Sequence, residues 1–385
     1  MEIKKTRSED TLIFYALSPG DRTITPICQA LESFFSRKKE LDPSSRFNII
    51  FFQEMGPNYL ENFTLNPEHI LIVLKSLESE IVKANVAGGI MVAVSFIIDV
   101  FKRISEKCFR LIILMDSKAS KVSPIFIPVL ENLINQVKDM PFFIDIVHID
   151  VMDSEEFIKL SKLVEICHGE IYQVKKLKNF SNTLEDIAKN RVINPNRMIE
   201  GNKFIIPEEN RLFYENLAQD LITAEGNHNC SICFIDDDRK LVQCPNCNTI
   251  AHNVCWAQWA EKSSIGIPNV FRCYHCFQLI KLSREFVDNI TYTKLLGKNV
   301  NVEVVEVKDF LEQLEPTNGP NLIQVEDPTA IASSTPEDFD VEEIETTPNK
   351  KVSVNGEIKF MLCPHCFKMI TNEYLRCPAC NRKLK

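Results

Sequence analysis

The sequence predicts an α/β protein: a doubly wound, mostly parallel sheet over the first half, followed by small metal-dependent modules. Two observations carry this. Across residues 11–195 short apolar runs rich in Ile, Val and Phe alternate with helical patterns, and strands apolar throughout but separated by helices belong to a sheet covered on both faces. Eleven of the 14 cysteines then fall into two tight clusters, at 230–276 and 363–380.

The expected strands are Thr11–Leu17, Arg46–Phe52, Arg110–Met115, Phe142–Ile149 and Glu170–Val174, each a short run of β-branched and aromatic residues. Helical periodicity covers Thr25–Arg37, Pro67–Val82, Gly89–Ile104, Pro124–Val137, Ser154–His168 and Asn182–Ala188, with Gly169 expected as a C-cap before the next strand. Further helix is expected at Pro207–Leu221. These patterns divide the chain into an α/β domain (1–195), a helical connector (196–226), a finger (227–282), an acidic linker (283–358) and a zinc ribbon (359–385).

The chain has 385 residues, 45% hydrophobic, with a formal charge of −9. That length and apolar fraction support two or three modules, and the charge argues against a general binder of polyanions. The opening Met1-Glu2-Ile3-Lys4-Lys5-Thr6 is too polar for a secretory signal, and the longest apolar run, Gly88 to Ile98, is too short to span a bilayer. An intracellular protein, cytoplasmic or nuclear, with no membrane association is the expectation. In a reducing compartment clustered cysteines read as metal ligands rather than disulfides. No P-loop or GxGxxG follows the first strand, so nucleotide binding is not expected; with protein partners as the expectation, no small-molecule substrate is expected either.

The strand order, the Gly88-Gly89 turn into a helix and the strand end Leu114-Met115-Asp116-Ser117 resemble a von Willebrand factor A domain over about half the chain. That resemblance implies a divalent cation held by a DxSxS loop after the first strand, a Thr and a distant Asp. Here Ala16 replaces the leading Asp, Gly20 the second Ser and Ile90 the Thr, leaving Ser18 and Asp116. Two oxygen donors do not fill the six-ligand shell of Mg²⁺. Asp116 is therefore expected to cap the following segment, and the domain to bind protein partners without a metal.

The first cluster reads Cys230-x2-Cys233-x10-Cys244-x2-Cys247-x4-His252-x2-Cys255-x17-Cys273-x2-Cys276. Four pairs of thiolate or imidazole ligands match two tetrahedral zinc ions, and a redox CxxC would need only one pair. His228 and His275 lie outside the paired spacing. The order of seven Cys and one His is shared by PHD fingers and by a variant group of RING fingers. Either resemblance implies interleaved sites, with Cys230, Cys233, His252 and Cys255 on one ion and Cys244, Cys247, Cys273 and Cys276 on the other. Cys230-Ser231-Ile232-Cys233 and His252-x2-Cys255-Trp256-x2-Trp259 resemble the RING pattern, closest to the variant RING of the ubiquitin-ligase subunit of the SMC five-six complex. PHD fingers place a Trp where this chain has Phe271.

A RING carries no nucleophile; it grips a ubiquitin-conjugating enzyme and holds the linked ubiquitin in a reactive pose. The resemblance implies that Ile232 and Trp259 would line that groove, while Trp256 packs inside the finger. Two departures stand out: Tyr274-His275 replaces the Pro that many RINGs carry, and Phe277 replaces a basic residue that active ligases often place after the last ligand.

From Asp309 to Asn349 the chain carries eleven acidic residues and no Lys or Arg, the composition of an extended solvated spacer. Cys363, Cys366, Cys377 and Cys380 then specify a third zinc in a ribbon too small to fold without it. Lys359, Lys368, Arg376, Arg382, Lys383 and Lys385 surround that ribbon. A four-thiolate zinc centre carries a formal −2 that such cations offset, so charge balance is the simpler reading than nucleic-acid binding. In sum the sequence suggests a zinc-dependent interaction protein, most simply a RING-type ubiquitin-ligase-like scaffold acting on a client held by the first domain. The alternatives are a non-enzymatic subunit of a transcription or repair assembly, since TFIIH subunits also join a von Willebrand-type domain to C-terminal zinc modules, and a PHD-type peptide reader.

Overall fold

The computed structural model describes residues 7–18, 24–53, 56–81, 83–104, 107–175, 177–191, 198–199, 203–226, 228–235, 239–295, 360–362, 369–371, 375–376 and 383. Strands β1 (Glu9–Ala16), β2 (Phe47–Gln53), β3 (Gly56–Tyr59), β4 (Cys108–Asp116), β5 (Phe142–Ile149) and β6 (Ile171–Val174) form one sheet in the order β3-β2-β1-β4-β5-β6. Every neighbouring pair is parallel except β3, which returns antiparallel along β2. Helices α1 (Ile24–Leu41), α2 (Glu68–Ser76), α3 (Val86–Phe101), α4 (Ile127–Val137), α5 (Ser154–Ile166) and α6 (Leu177–Ile187) cover the two faces. Alternation along the strands makes this possible. Leu12, Phe14, Ile50 and Phe52 face α3 in one core, whereas Ile13, Tyr15, Ile49 and Phe51 face α1 and α2 in the other. The fold is thus the expected doubly wound, mostly parallel α/β sheet, and no helix among the described residues is long and apolar enough to cross a membrane.

Within the α/β domain three features differ from the sequence expectation. Strand β3 has no apolar alternation to announce it; Gly56-Pro57-Asn58-Tyr59 sits at the sheet edge, where Pro costs no internal ladder bond. Helix α3 starts before Gly88-Gly89, at Val86, because the Asn85 side chain accepts the Gly88 N–H at 3.0 Å as an N-cap. These glycines are needed for close approach rather than for a turn: a Cβ on Gly89 would lie 1.9 Å from Phe14 Cζ. The cap of α5 is also shifted. His168, at φ 54°, takes the left-handed position, and Gly169 N–H returns to Val164 O while His168 N–H returns to Glu165 O, the paired bonds of a Schellman ending. Gly169 is required instead because a Cβ there would meet Ile144 O at 1.6 Å.

At the N-terminal edge of the sheet the strands begin with buried charge. Lys38 of α1 pairs with Glu9, Arg110 with Asp145, and Arg46 with Asp10. Arg191, just after α6, reaches Asp145 at 2.6 Å and Glu170 at 3.1 Å. Asp42 accepts from Glu9 N at 2.8 Å and from Ser8, Ser44 and Asn190. Paired and hydrogen-bonded, these charges escape the penalty of isolated burial.

The second half begins with a short hairpin, β7 (Met198–Ile199) and β8 (Lys203–Phe204), and helix α7 (Glu208–Leu217). Past α7 the expected helix gives way to β9 (Gln219–Asp220) and β10 (Ile222–Thr223), which enter the sheets of the finger. β10 joins β11 (Leu241–Gln243) and β12 (Ile250–His252); β9 closes the sheet β13 (Ser264–Ile267), β14 (Val270–Arg272) and β15 (Leu279–Lys281), in the order β13-β14-β15-β9. Helix α8 (Asn253–Ser263) lies between the two sheets in sequence, and α9 (Arg284–Leu295) packs Val287 and Ile290 onto the finger core. The strands β14 and β15 are apolar on both faces. Phe271 and Ile280 point into the finger, while Ile267, Val270 and Leu279 join the core of the α/β domain with Phe213 and Tyr214. At the end of the chain the backbone of β16 (Phe360–Leu362) pairs with β17 (Met369–Thr371). Gly20, residues 296–359, which hold most of the expected linker (283–358), and the ribbon ligands Cys363, Cys366, Cys377 and Cys380 lie outside the described residues.

Candidate metal centres

Three tight turns build most of the ligand set, and they share one geometry. After Cys230-x2-Cys233, Cys244-x2-Cys247 and Cys273-x2-Cys276 the next residues, Phe234, Asn248 and Phe277, have φ of 59°, 57° and 60°. Each returns its N–H to the carbonyl of the first Cys of its pair, at 2.8, 2.9 and 3.0 Å. This reversal curls the intervening N–H groups toward the first sulfur: Ile232 N and Cys233 N donate to Cys230 Sγ at 3.4 and 3.5 Å. Phenylalanine at two left-handed positions costs backbone energy that Gly or Asn would spare. The fourth pair, His252 and Cys255, comes from the end of β12 and the first turn of α8, where a helix N-terminus favours thiolate.

The ligand atoms of Cys230, Cys233, His252 and Cys255 lie within 4.8 Å of one another, as do those of Cys244, Cys247, Cys273 and Cys276. Each group draws on two separated pairs, so the centres are interleaved. Tetrahedral zinc with Zn–S near 2.3 Å and Zn–N near 2.0 Å separates sulfurs by about 3.8 Å and sulfur from nitrogen by about 3.5 Å. Cys244–Cys276 and Cys247–Cys273 are each 3.7 Å apart, and His252 Nδ1 is 3.4 Å from Cys233 Sγ and 3.8 Å from Cys255 Sγ. Both groups therefore fit a tetrahedral ion, the first through Nδ1 of His252, and soft sulfur donors suit zinc. His228 and His275 are in neither group.

Electrostatics also favours a cation. In the second group the hydrogen bond from Cys273 draws Cys244 down to about 5 while the same contact holds Cys273 up. In the first, burial pushes Cys255 up to about 12, reinforced by the charge of Cys230. Burial also acts on Cys230, but the N–H groups of Cys233, His252 and Ile232 outweigh it and hold that thiol below its usual value. Without a dication each group can ionise only in part; a bound ion lets all its thiols ionise.

The other predicted residues fall as follows. Asp116 accepts from Ser18 N at 3.0 Å, Ser18 Oγ at 3.1 Å, Lys118 N at 2.9 Å and Ala119 N at 3.1 Å. Its carboxylate thus caps the turn after β4 and ties it to β1, while Ala16 and Ile90 are buried among apolar side chains. Trp256 is fully buried and donates to Val242 O at 3.2 Å. Trp259 is half-buried; its indole N–H donates to Arg272 O at 2.7 Å and its ring meets Tyr274 edge-on. Ile232 is half-buried, and beside it Phe234 and Ile235 are exposed.

Two residues escaped sequence reasoning. Tyr274 packs against both tryptophans and donates to Ser231 Oγ at 2.6 Å, joining the third ligand turn to the first. Arg272, one residue before a ligand, is buried against the α/β domain, donating to Phe101 O at 2.7 Å and Phe277 O at 3.2 Å with its guanidinium over the Phe101 ring. Burial pulls its pKa down to about 10, which leaves it charged near neutral pH. The signal for Arg272 was the continuous apolar pair Val270-Phe271 before it, which marks a strand buried on two faces.

No family model matches the chain, and no curated protein matches it. Among solved structures, similar chains include the SpRpn10 VWA domain, at 15% identity and TM-score 0.36 over 46% of this chain and 95% of that one. A von Willebrand factor type A protein from Catenulispora acidiphila aligns at 12% identity and TM-score 0.36, over 48% of this chain and 42% of that one. Proximal thread matrix protein 1 from the mussel byssus aligns at 11% and 0.35, over 48% and 47%. This chain thus spans less than half the length of the last two, and its fold assignment rests on the strand order and pairing described above.

Proposed function

We propose that the protein is a zinc-dependent interaction scaffold in which the α/β domain holds a client and a RING-like finger recruits a ubiquitin-conjugating enzyme. The observation that supports it best is the pair of interleaved four-ligand groups whose first turn offers Ile232, Phe234 and Ile235 at the surface. A RING acts by positioning, so a surface of this kind and no nucleophile is what the reading needs. All eight ligands above bind zinc, the ribbon cysteines bind a third ion, and Ile232 and Trp259 contact the enzyme. Ile232→Ala should weaken conjugating-enzyme binding about 5- to 30-fold while retaining zinc, read by calorimetry beside metal analysis. Trp259→Ala should weaken it further, with some loss of stability because of its bond to Arg272. Zinc-loaded protein that binds none of a broad panel of conjugating enzymes would sink this reading.

A second reading, a non-enzymatic subunit of a transcription or repair assembly, draws support from a different observation: one face of the finger sheet is spent on the α/β domain, as in a part built for fixed assembly. Stoichiometric co-purification with a helicase from native extract, without ubiquitin transfer, would favour it.

A further inference from the structure

Helix α3 closes on its C-cap residue Lys102, whose N–H returns to Ile98 O at 3.2 Å, with Arg103 N–H on Val100 O at 2.9 Å. It has no basic residue in its last turn, although a helix C-terminus carries partial negative charge and unsatisfied carbonyls. The carbonyls of Phe101 and Lys102, at its very end, are met from far along the chain. The Arg272 guanidinium donates to Phe101 O at 2.7 Å, and the Leu279 backbone N–H donates to Lys102 O at 2.7 Å. Arg272 also lies over the Phe101 ring at 5.1 Å, while Phe101 meets Tyr214 edge-on. The two donors flank the third ligand turn: Arg272 immediately precedes Cys273, and Leu279 follows Cys276 by three residues. That turn is shaped by Cys273 N to Gln278 O and Phe277 N to Cys273 O, at 2.9 and 3.0 Å, and Arg272 itself donates to Phe277 O.

We propose that the second metal centre, Cys244, Cys247, Cys273 and Cys276, serves as a clamp on the α/β domain, because the ligand turn it closes carries the two donors that cap α3. Metal occupancy in the finger then sets the order of the last turn of α3, and the finger acts as a metal-dependent part of the domain rather than a module on a tether. This rests on the zinc reading of the centres, so zinc content is measured in every sample.

The test is hydrogen exchange on the full chain, zinc-loaded and chelator-stripped, together with Arg272→Gln, Cys276→Ser and Cys233→Ser. Stripped protein and Cys276→Ser should exchange the amides of residues 98–104 about tenfold faster or more, with β4 and β5 still protected. Arg272→Gln should show the same local change while keeping its zinc, and Cys233→Ser, in the other centre, should show a smaller one. Unchanged exchange at 98–104 in stripped protein would overturn the clamp, as would equal loss of protection throughout the sheet. Native protein without zinc would instead overturn the metal reading itself.

Discussion

Trp256 and Trp259 lie three positions apart on α8 and do different work. Trp256 fills the finger core between Phe271 and Tyr274, so Trp256→Ala should cost about 3–5 kcal/mol of stability, measured by denaturant unfolding of zinc-loaded protein. The Cys and His groups beside it were legible because a paired spacing is a local property of the sequence, whereas Tyr274 and Arg272 act through contacts 43 and 171 residues away. Asp42 was silent for the same reason. Burial pushes its carboxyl up, but donors at Glu9 N, Ser44, Asn190 and Ser8 outweigh burial and hold it below the usual carboxylate range. A depressed native pKa contributes stability above the ordinary Asp value and loses it as pH falls through the native one. Asp42→Asn should therefore cost about 1–3 kcal/mol at pH 7, and the gap from wild type should narrow below about pH 4, followed by thermal melts across pH.

At the scale of elements, five of the six strands of the α/β sheet and all six helices over it were legible, because runs such as Leu12–Ala16 and Leu111–Met115 are apolar on both faces and can only be central strands. Glu9 and Asp10, which open β1, fell outside the expected strand instead, since nothing local reveals the partner that makes a buried charge tolerable. Helix α3 shows how tightly these elements fit. The overlap of a Gly89 Cβ with the Phe14 ring would push the helix off the sheet, so Gly89→Ala should destabilise by about 1–3 kcal/mol despite its better helix propensity. A urea titration would check the sign, which propensity alone predicts wrongly.

Over the whole molecule the division drawn from sequence, with a finger at 227–282, leaves out β9, β10 and α9. It also strips the cover from Ile267, Val270 and Leu279, none more than 1% exposed in the full chain. A fragment limited to 227–282 should therefore aggregate or stay unfolded even with zinc, as size-exclusion chromatography would report, whereas the 385-residue chain should carry three zinc ions by elemental analysis. Arg272 and Phe101 are 171 residues apart, so at ribosomal speeds of 5–20 residues per second roughly 10–30 s of synthesis pass before the end of α3 meets its cap. During that interval the nascent domain must survive with an apolar flank open to other chains. Its yield in the cell becomes a race between translation with zinc capture and aggregation, decided by the late strands β14 and β15 rather than by the first.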